Sequence, residues 1–305
     1  MLRLLAVLLI GVVVVVAAAW LYTPDWPRTA LIAAYAGPPS QFIDVLGARL
    51  HVRDTGPRDA PTLVLLHGFG SSLHTWDAWA AELDRDHRVI RYDLPGFGLT
   101  GEDPSGDYRD ERSLAILLGL LDRLGVARAS VVGNSMGGRI AWRFAAAHPE
   151  RVAKLVLISP DGFASPGLAY GVAPDVPLLM RALPYVLPGF MLKATLAPAY
   201  ADPRALTGAL MERYRAMMLA PGVRRSIVAR MGQQILVDPV PLLRTIAAPT
   251  LLLWGEKDAM IPFRNAADYL AALPHARLVA LPGVGHVPQE EAPGTVATVR
   301  AFLDE

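Results

Sequence analysis

The sequence has 305 residues, and its 29 Lys and Arg residues against 28 Asp and Glu residues leave a net charge of +1. Near-neutrality excludes a nucleic-acid-binding protein that relies on global charge, and the absence of cysteine excludes disulfides, thiol nucleophiles and cysteine-ligated metals. Hydrophobic residues make up 53% and charged residues 19% of the chain, whereas ordinary values are roughly 45–50% and about 25%. This excess requires a large core, a membrane segment or an apolar site.

The N-terminal segment carries part of the apolar excess. Residues 4–24 contain no charged side chain, and as a helix they would span roughly 31 Å, about the thickness of a bilayer core. Trp20, Tyr22 and Trp26 are typical of the aromatic belt at a membrane interface, and Arg3 favours a cytoplasmic start. The pattern predicts a transmembrane helix.

Two further interpretations of this segment stay open. The alanines at 17–19 resemble a signal-peptidase site after an apolar stretch at 4–16, and a buried helix is the third possibility. We expect a transmembrane anchor (or signal peptide) over residues 1–27, which contacts the membrane through residues 4–22, and a juxtamembrane segment over 28–40. The catalytic domain would then be extracytoplasmic, on the periplasmic side of a bacterium, and secreted if the segment is cleaved.

Short apolar stretches after residue 40 predict a β-sheet. Stretches 41–45 and 49–54 are predicted to form a hairpin that turns at Gly47. The later stretches are continuously apolar, as in a parallel sheet covered on both faces; they are 62–66, 89–92, 130–133, 155–158, 250–254 and 277–281. Helical patterns at 110–124, 138–147 and 262–272 alternate with them, which indicates a doubly wound α/β fold.

Residues 161–245 interrupt this alternation. They contain six of the nine methionines, nine basic residues against five acidic ones, and no convincing strand. We expect a cap of short helices, inserted into a core formed by residues 41–160 and 246–305. Its methionines and arginines could contact an acyl chain and an anionic lipid, or simply pack against the core and face solvent.

A nucleophile motif lies between a predicted strand and a predicted helix. Residues 133–137 read GNSMG, which fits the G-x-S-x-G turn that exposes a serine hydroxyl. Gly133 and Gly137 are needed because the turn is too sharp for larger neighbours. We therefore predict Ser135 as the nucleophile and the Met136 amide as one oxyanion donor. The second donor is predicted to be the Phe69 amide, in the glycine-flanked turn at 67–70.

A serine nucleophile needs a base and an acid that orients the base. His286 follows the last predicted strand and Asp258 follows the strand before it, so both lie where parallel strands end and ligands bind. We predict His286 as the base and Asp258 as its partner, with Glu256 and Asp161 as alternative acids. His67 is expected to brace the oxyanion turn.

Six segments resemble motifs of the α/β-hydrolase superfamily. They are HGFG at 67–70, DLPGFG at 93–98, GNSMGG at 133–138, HPERV at 148–152, LWGEKD at 253–258 and GHVPQEE at 285–291. The resemblance spans the core but not the cap. It implies the α/β-hydrolase fold and a Ser135–His286–Asp258 triad, which requires no metal or organic cofactor.

The same resemblance limits the set of reactions that the chain is expected to catalyse. Dehalogenases and epoxide hydrolases of this fold carry Asp where this chain has Ser135. The GNSMGG motif is similar to that of monoacylglycerol-lipase-like enzymes and of meta-cleavage-product hydrolases, which break C–C bonds. The latter usually have an aromatic residue after the histidine, where this chain has Val287. A single membrane span before such a core resembles membrane-bound monoacylglycerol lipases and bacterial lysophospholipases or phospholipases A.

Three hypotheses about function follow. The first is a membrane-anchored serine hydrolase whose partner is a lipid or small-molecule ester, such as an acylglycerol or a (lyso)phospholipid. The second is a C–C bond hydrolase of the meta-cleavage-product type with the same triad. The third is a non-catalytic binding protein, against which the strained nucleophile turn argues.

Overall fold

The computed structural model describes residues 8–9, 11–12, 16, 19–164 and 169–305. Its strands are β1 (Ser40–Val45), β2 (Ala48–Thr55), β3 (Thr62–Leu66), β4 (Arg88–Tyr92), β5 (Ala129–Asn134), β6 (Val152–Ile158), β7 (Thr250–Gly255) and β8 (Ala276–Leu281). They form one sheet in the order β1-β2-β4-β3-β5-β6-β7-β8. The β1–β2 and β2–β4 pairs are antiparallel and the other pairs are parallel.

Helices cover both faces of the sheet and form the cap. Those with defined bounds are α1 (Arg28–Tyr35), α2 (Asp77–Leu83), α3 (Asp110–Arg123), α4 (Met136–Ala147), α5 (Gly189–Leu196), α6 (Gly208–Met218), α7 (Val223–Gln233), α8 (Val240–Leu243), α9 (Asn265–Ala272), α10 (Pro288–Glu291) and α11 (Val296–Leu303). On one face, α1, α3, α4 and α9 pack on the sheet in a large apolar core. On the other face, α2 and α11 do so.

The predicted doubly wound α/β fold with a mostly parallel sheet is confirmed. Each predicted strand corresponds to one of the eight observed strands. Two helices begin elsewhere than predicted. Helix α4 begins at Met136 rather than at 138, because the turn at Ser135 leads directly into it, and α9 begins at Asn265 rather than at 262, because residues 263–264 form a turn.

The cap segment at 161–245 lies between β6 and β7 in the chain and contains α5 to α8. In its described part, the β-type pairing is an isolated bridge between Val186 and Tyr22 of the N-terminal segment. Two of its cores are small and separate from the core under the sheet. Helices α6 and α7 also contribute buried Ala216, Met217, Val223 and Ile227 to the large core under the sheet. The cap is therefore held to the rest of the molecule by apolar packing as well as by polar contacts at its edges.

The predicted membrane anchor and extracytoplasmic localisation are wrong on this structure. Within the described residues, no helix combines the length and apolarity needed to cross a bilayer. Helix α1 has only 8 residues, a rise of about 12 Å. Residues 1–7, 10, 13–15 and 17–18 lie outside the described residues, so about half of the predicted span and part of the predicted cleavage site at 17–19 fall there.

The end of the predicted span is bound to the cap. Tyr22 forms the bridge to Val186, and the Thr23 amide donates to the Tyr185 carbonyl at 2.8 Å. Arg224 of α7 is buried and forms an ion pair with Asp25 at 2.7 Å. Residues 22–26 are therefore not helical, because the cap binds their backbone in another conformation.

Candidate active site

Ser135 lies on a strained turn between β5 and α4. Its backbone has φ of 55° and ψ of −120°, which costs a non-glycine residue on the order of 1–3 kcal/mol. A Cβ added to Gly133 would lie 2.3 Å from the Gly137 carbonyl oxygen, and one added to Gly137 would lie 2.2 Å from the Leu66 carbonyl oxygen. Both glycines are therefore required by close backbone contacts, and the turn they allow leaves Ser135 partly exposed.

His286 and Asp258 meet behind this turn. Asp258 Oδ2 lies 2.7 Å from His286 Nδ1, and both side chains are buried. The amides of Met260 and Ile261 donate to Asp258 Oδ1 at 2.8 Å. Because hydrogen bonds fix both oxygens of the Asp258 carboxyl group, its position is set and it orients the imidazole through Nδ1. His286 Nε2 is buried and has no hydrogen-bond partner within the described residues. The structure thus joins His286 to Asp258 but shows no hydrogen bond between Nε2 and the Ser135 hydroxyl, which is the bond that the predicted triad would form.

The two alternative acids lie elsewhere. Asp161 accepts from buried Arg139 at 2.6 Å, and Arg139 also pairs with Asp110 at 3.1 Å. Burial disfavours the charged form of Arg139, but Asp161 and Asp110 outweigh it and raise the pKa of this guanidinium. Glu256 is exposed. The structure therefore brings Asp258, and neither Asp161 nor Glu256, to the imidazole.

The predicted oxyanion donors flank Ser135. Met136 is the first residue of α4, so its amide has no partner within the helix. Gly68 lies against the turn, since a Cβ there would be 3.2 Å from Ser135 Cβ. Phe69 follows Gly68, and its half-exposed ring packs edge-on against Phe97. The geometry thus places both predicted segments beside the serine, while the donor roles stay predictions.

His67 holds the oxyanion turn in place. Its Nδ1 lies 2.8 Å from the Gly68 carbonyl oxygen, and its Nε2 accepts from the Leu94 amide at 2.9 Å. These partners require Nδ1 to carry the proton, and burial lowers the pKa of His67, which favours the neutral ring. The side chain therefore braces two loops rather than exchanging protons with a substrate.

Sequence reasoning did not find two residues that join the site together. Asn134 Nδ2 donates to the His286 carbonyl at 3.0 Å, and Asn134 Oδ1 accepts from Gln289 Nε2 at 3.2 Å. Gln289 is fully buried and also donates to Thr75 at 3.3 Å. The available signal was their position inside the GNSMGG and GHVPQEE motifs. They fix the loop of His286 to the turn of Ser135.

Asp93 was also not predicted. It is fully buried, accepts from the Leu73 and Leu99 amides at 2.7 Å, and pairs with His51 at 2.8 Å. Burial opposes its charge, but His51 and its neighbours outweigh burial and hold the pKa of Asp93 well below its usual range. This carboxylate anchors the loops that follow β3 and β4, on which the oxyanion turn rests.

A cavity of about 490 Å³ lies between the cap and the back of the nucleophile turn. Its lining includes neither Ser135 nor His286. It is connected to the serine turn by Asp161, a lining residue whose amide donates to the Ser135 carbonyl at 3.0 Å. Its polar lining residues are Arg139, Asp161, Asp175 and Gln234. The apolar ones are Phe163, Ala169, Val172, Ala173, Pro174, Met231 and Leu236. Its wall is therefore mostly apolar, and its basic residue, Arg139, is already neutralised by two carboxylates.

Comparisons with known proteins confirm the predicted α/β-hydrolase fold. The sequence model of the family described as alpha/beta hydrolase fold matches residues 61–293. A 2-hydroxy-6-oxononadienedioate/2-hydroxy-6-oxononatrienedioate hydrolase of Cupriavidus pinatubonensis is 32% identical over 254 residues, which are 80% of this chain and 86% of that protein.

Two solved structures are similar over most of the chain. The crystal structure of a bacterial membrane phospholipase A is 29% identical, covers 100% of this chain and 98% of that one, and superposes with a TM-score of 0.75. A thermophilic esterase from Thermogutta terrifontis is 27% identical, covers 87% and 98%, and has a TM-score of 0.71. These relatives thus include both ester hydrolases and a hydrolase of a different substrate class.

Proposed function

Because this chain belongs to the α/β-hydrolase family, we propose that it is a serine hydrolase that cleaves carboxylic esters through a covalent acyl-enzyme. Ser135 is the proposed nucleophile, His286 the base and Asp258 the residue that orients the base. One observation carries the proposal: the His286–Asp258 pair is tied directly to the strained serine turn, through the Asn134 hydrogen bond to the His286 carbonyl.

The proposed reaction has two halves. Ser135 Oγ attacks the acyl carbonyl while its proton passes to His286 Nε2, and Asp258 stabilises the imidazolium. The amides of Met136 and Phe69 are the proposed donors to the oxyanion of the tetrahedral intermediate. The intermediate collapses, the C–O bond breaks, and His286 gives its proton to the leaving alcohol. Water then attacks the acyl-enzyme with the same base, which releases the carboxylic acid and restores Ser135.

The surroundings of the serine support an ester with an apolar acyl chain. The cavity beside the turn is mostly apolar, and Arg139 is paired with Asp110 and Asp161, so it offers no unneutralised cation to a carboxylate-bearing substrate. Val287, after the base, is aliphatic and buried. Acylglycerols and (lyso)phospholipids are the proposed substrate class, in keeping with the phospholipase and esterase among the structural neighbours.

A second candidate is hydrolysis of a C–C bond beside a carbonyl group. The curated relatives favour it. The Cupriavidus hydrolase and a hydrolase of the same name from Paraburkholderia phymatum are 32% and 33% identical to this chain. These identities exceed the 29% of the phospholipase structure. The same serine, base and oxyanion donors could serve either bond, so the choice depends on the substrate pocket.

A substrate panel separates the two candidates. Purified protein is assayed with p-nitrophenyl esters of increasing acyl length, with monoacylglycerol and lysophospholipid, and with 2-hydroxy-6-oxononadienedioate. The proposal predicts ester turnover that Ser135→Ala abolishes and that Ser130→Ala, a matched change on the same strand β5, leaves intact. Turnover of the dienedioate without ester turnover would establish the second candidate. Folded protein that turns over no member of the panel would favour a binding protein.

A further inference from the structure

The loop of the base is bound by the cap as well as by the core. The His286 amide donates to the Ala199 carbonyl at 2.8 Å. Three residues further along the cap, the Asp202 amide donates to Glu291 Oε1 at 2.9 Å, while Glu291 Oε2 accepts from the Gly285 amide at 2.7 Å. The backbone on either side of the imidazole is therefore joined to cap residues 199–202.

Glu290 provides a second connection. Its side chain is 5% exposed and forms an ion pair with Arg213 of α6. It also accepts from the hydroxyls of Tyr200 and Tyr214, the latter at 3.1 Å. The second terminal nitrogen of Arg213, Nη1, donates to the His74 carbonyl at 3.3 Å. His74 lies in the segment that follows the oxyanion turn. One buried carboxylate thus gathers three cap side chains next to the base.

Gly285 shows how closely the two parts approach. A Cβ at this position would lie 2.7 Å from both the Ala199 carbonyl oxygen and the Ala201 amide nitrogen. Both are backbone atoms of the cap, so neither can move aside as a flexible side chain would. Its φ lies outside the left-handed range, so an alanine here would be opposed by the cap contact rather than by backbone strain.

We propose that residues 199–202, Arg213, Glu290 and Glu291 form a clamp through which the cap sets the position of the catalytic base, so that the cap is a positioning element as well as a cover. The inference rests on the proposed function, since it requires His286 to act as the base. His286 is held on its amide by cap residue Ala199 and on its carbonyl by core residue Asn134. A shift of the cap would therefore turn the imidazole relative to Ser135.

A cap that positions His286 and a cap that only covers the site predict different kinetics for the clamp variants. A base displaced by about 1 Å loses on the order of 10²-fold in rate, and that loss falls on kcat for every substrate. A damaged cover weakens the binding of long acyl chains, which raises KM for long esters and leaves the shortest ester unaffected. The comparison therefore uses p-nitrophenyl acetate and a long-chain p-nitrophenyl ester side by side.

The variants are Glu290→Ala, Glu290→Gln and Gly285→Ala. The control is Glu102→Ala, which breaks the ion pair between Glu102 and Arg225. This pair also joins the cap to the core, but it is exposed and includes none of the clamp residues. Thermal unfolding of each variant verifies that it is folded. Glu290→Gln keeps an oxygen that accepts from the tyrosines, so it serves as the conservative variant.

We expect Glu290→Ala and Gly285→Ala to lower kcat for both esters by about 10- to 100-fold, with KM changed little. Glu290→Gln should recover part of the loss, and Glu102→Ala should match the wild type. If Glu290→Ala does not fold, Gly285→Ala and Glu290→Gln decide the matter. An active wild type whose folded variants keep kcat, or lose only binding of the long ester, would overturn the clamp. A wild type without Ser135-dependent turnover would instead refute the proposed function.

Discussion

The core and the cap of this molecule are built in different ways. In the core, the site residues follow the ends of neighbouring parallel strands, and tight backbone contacts fix them, as at Gly133 and Gly137. In the cap, short helices have small apolar cores of their own, and buried residues of α6 and α7 also belong to the large core. Charged contacts such as Arg213–Glu290 and Arg224–Asp25 add to this packing. The predicted site residues therefore come from the core, while the cap meets the loop of His286 through the clamp residues.

The largest expected effect distinguishes the two acids at the strand ends. Asp258→Asn should lower kcat by about 10⁴-fold, because the amide no longer favours the Nδ1-protonated imidazole. Asp161→Asn should cost far less, since Asp161 contacts Arg139 and not His286. Steady-state ester kinetics measure both. A larger loss in Asp161→Asn than in Asp258→Asn would show that the triad is assigned wrongly.

The next effect contrasts a core glycine with a cap glycine. Gly133→Ala places a Cβ 2.3 Å from a backbone oxygen and should lower the free energy of unfolding by about 3 kcal/mol or more. Gly189→Ala, at the first position of α5, meets nothing within 4 Å and should be neutral or slightly stabilising. Urea unfolding of the two variants provides the measurement. Equal losses would contradict the idea that contacts constrain the core turn more tightly than the cap.

A smaller effect compares a buried and an exposed ion pair of α7. The side chain of Arg224 is 2% exposed and that of its partner Asp25 is 29% exposed. Arg224→Met leaves this carboxylate unpaired and should cost about 2 kcal/mol, less than a fully buried pair because of solvent screening. Arg225→Met removes the exposed pair to Glu102 and should cost at most about 0.5 kcal/mol. Thermal and urea unfolding measure the two, and a reversed order would refute the role of burial.

The smallest effect is the response to acid, which should originate in the core. Burial lowers the pKa of His74 to about 4, whereas an unfolded chain has a histidine pKa of about 6.5. Between these values the unfolded state binds a proton that the folded state does not, so stability falls as the pH falls. His67 acts in the same direction, and the cap segment at 161–245 has no histidine.

We expect the free energy of unfolding to fall by about 1–2 kcal/mol between about pH 7 and about pH 5. His74→Gln should make this fall smaller, because the glutamine amide takes up no proton in this pH range. Gln can still donate to the Tyr35 carbonyl that accepts from the imidazole, which limits other effects of the substitution. Urea unfolding at both pH values measures the change. An unaltered pH dependence in His74→Gln would place the acid response elsewhere in the molecule.

The difference between core and cap also explains which features the sequence could predict. All strands of the sheet were predicted because buried parallel strands are continuous apolar stretches, and the strand–turn–helix context identified Ser135. His286 and Asp258 followed from the positions where strands end. The Arg213–Glu290 pair could not be predicted, because its residues are 77 positions apart and the cap helices carry no motif that indicates which side chain faces the core.

The N-terminal segment shows a different limit. Its composition resembles a bilayer-spanning helix, but composition does not report which backbone groups a distant segment will bind. The amides of Thr23 and Trp26 donate to the cap carbonyls of Tyr185 and Leu219. These contacts depend on the folded cap and leave no trace in the local pattern.

The central claim is that Ser135 is the nucleophile of a covalent mechanism. Its most direct test is the reaction of purified protein with a fluorophosphonate, followed by intact mass and peptide mapping. We predict one adduct per chain, located on Ser135, and no adduct in Ser135→Ala. Ser130→Ala should be labelled like the wild type. Labelling of Ser135→Ala to the same extent, or an adduct on another residue of the wild type, would contradict it.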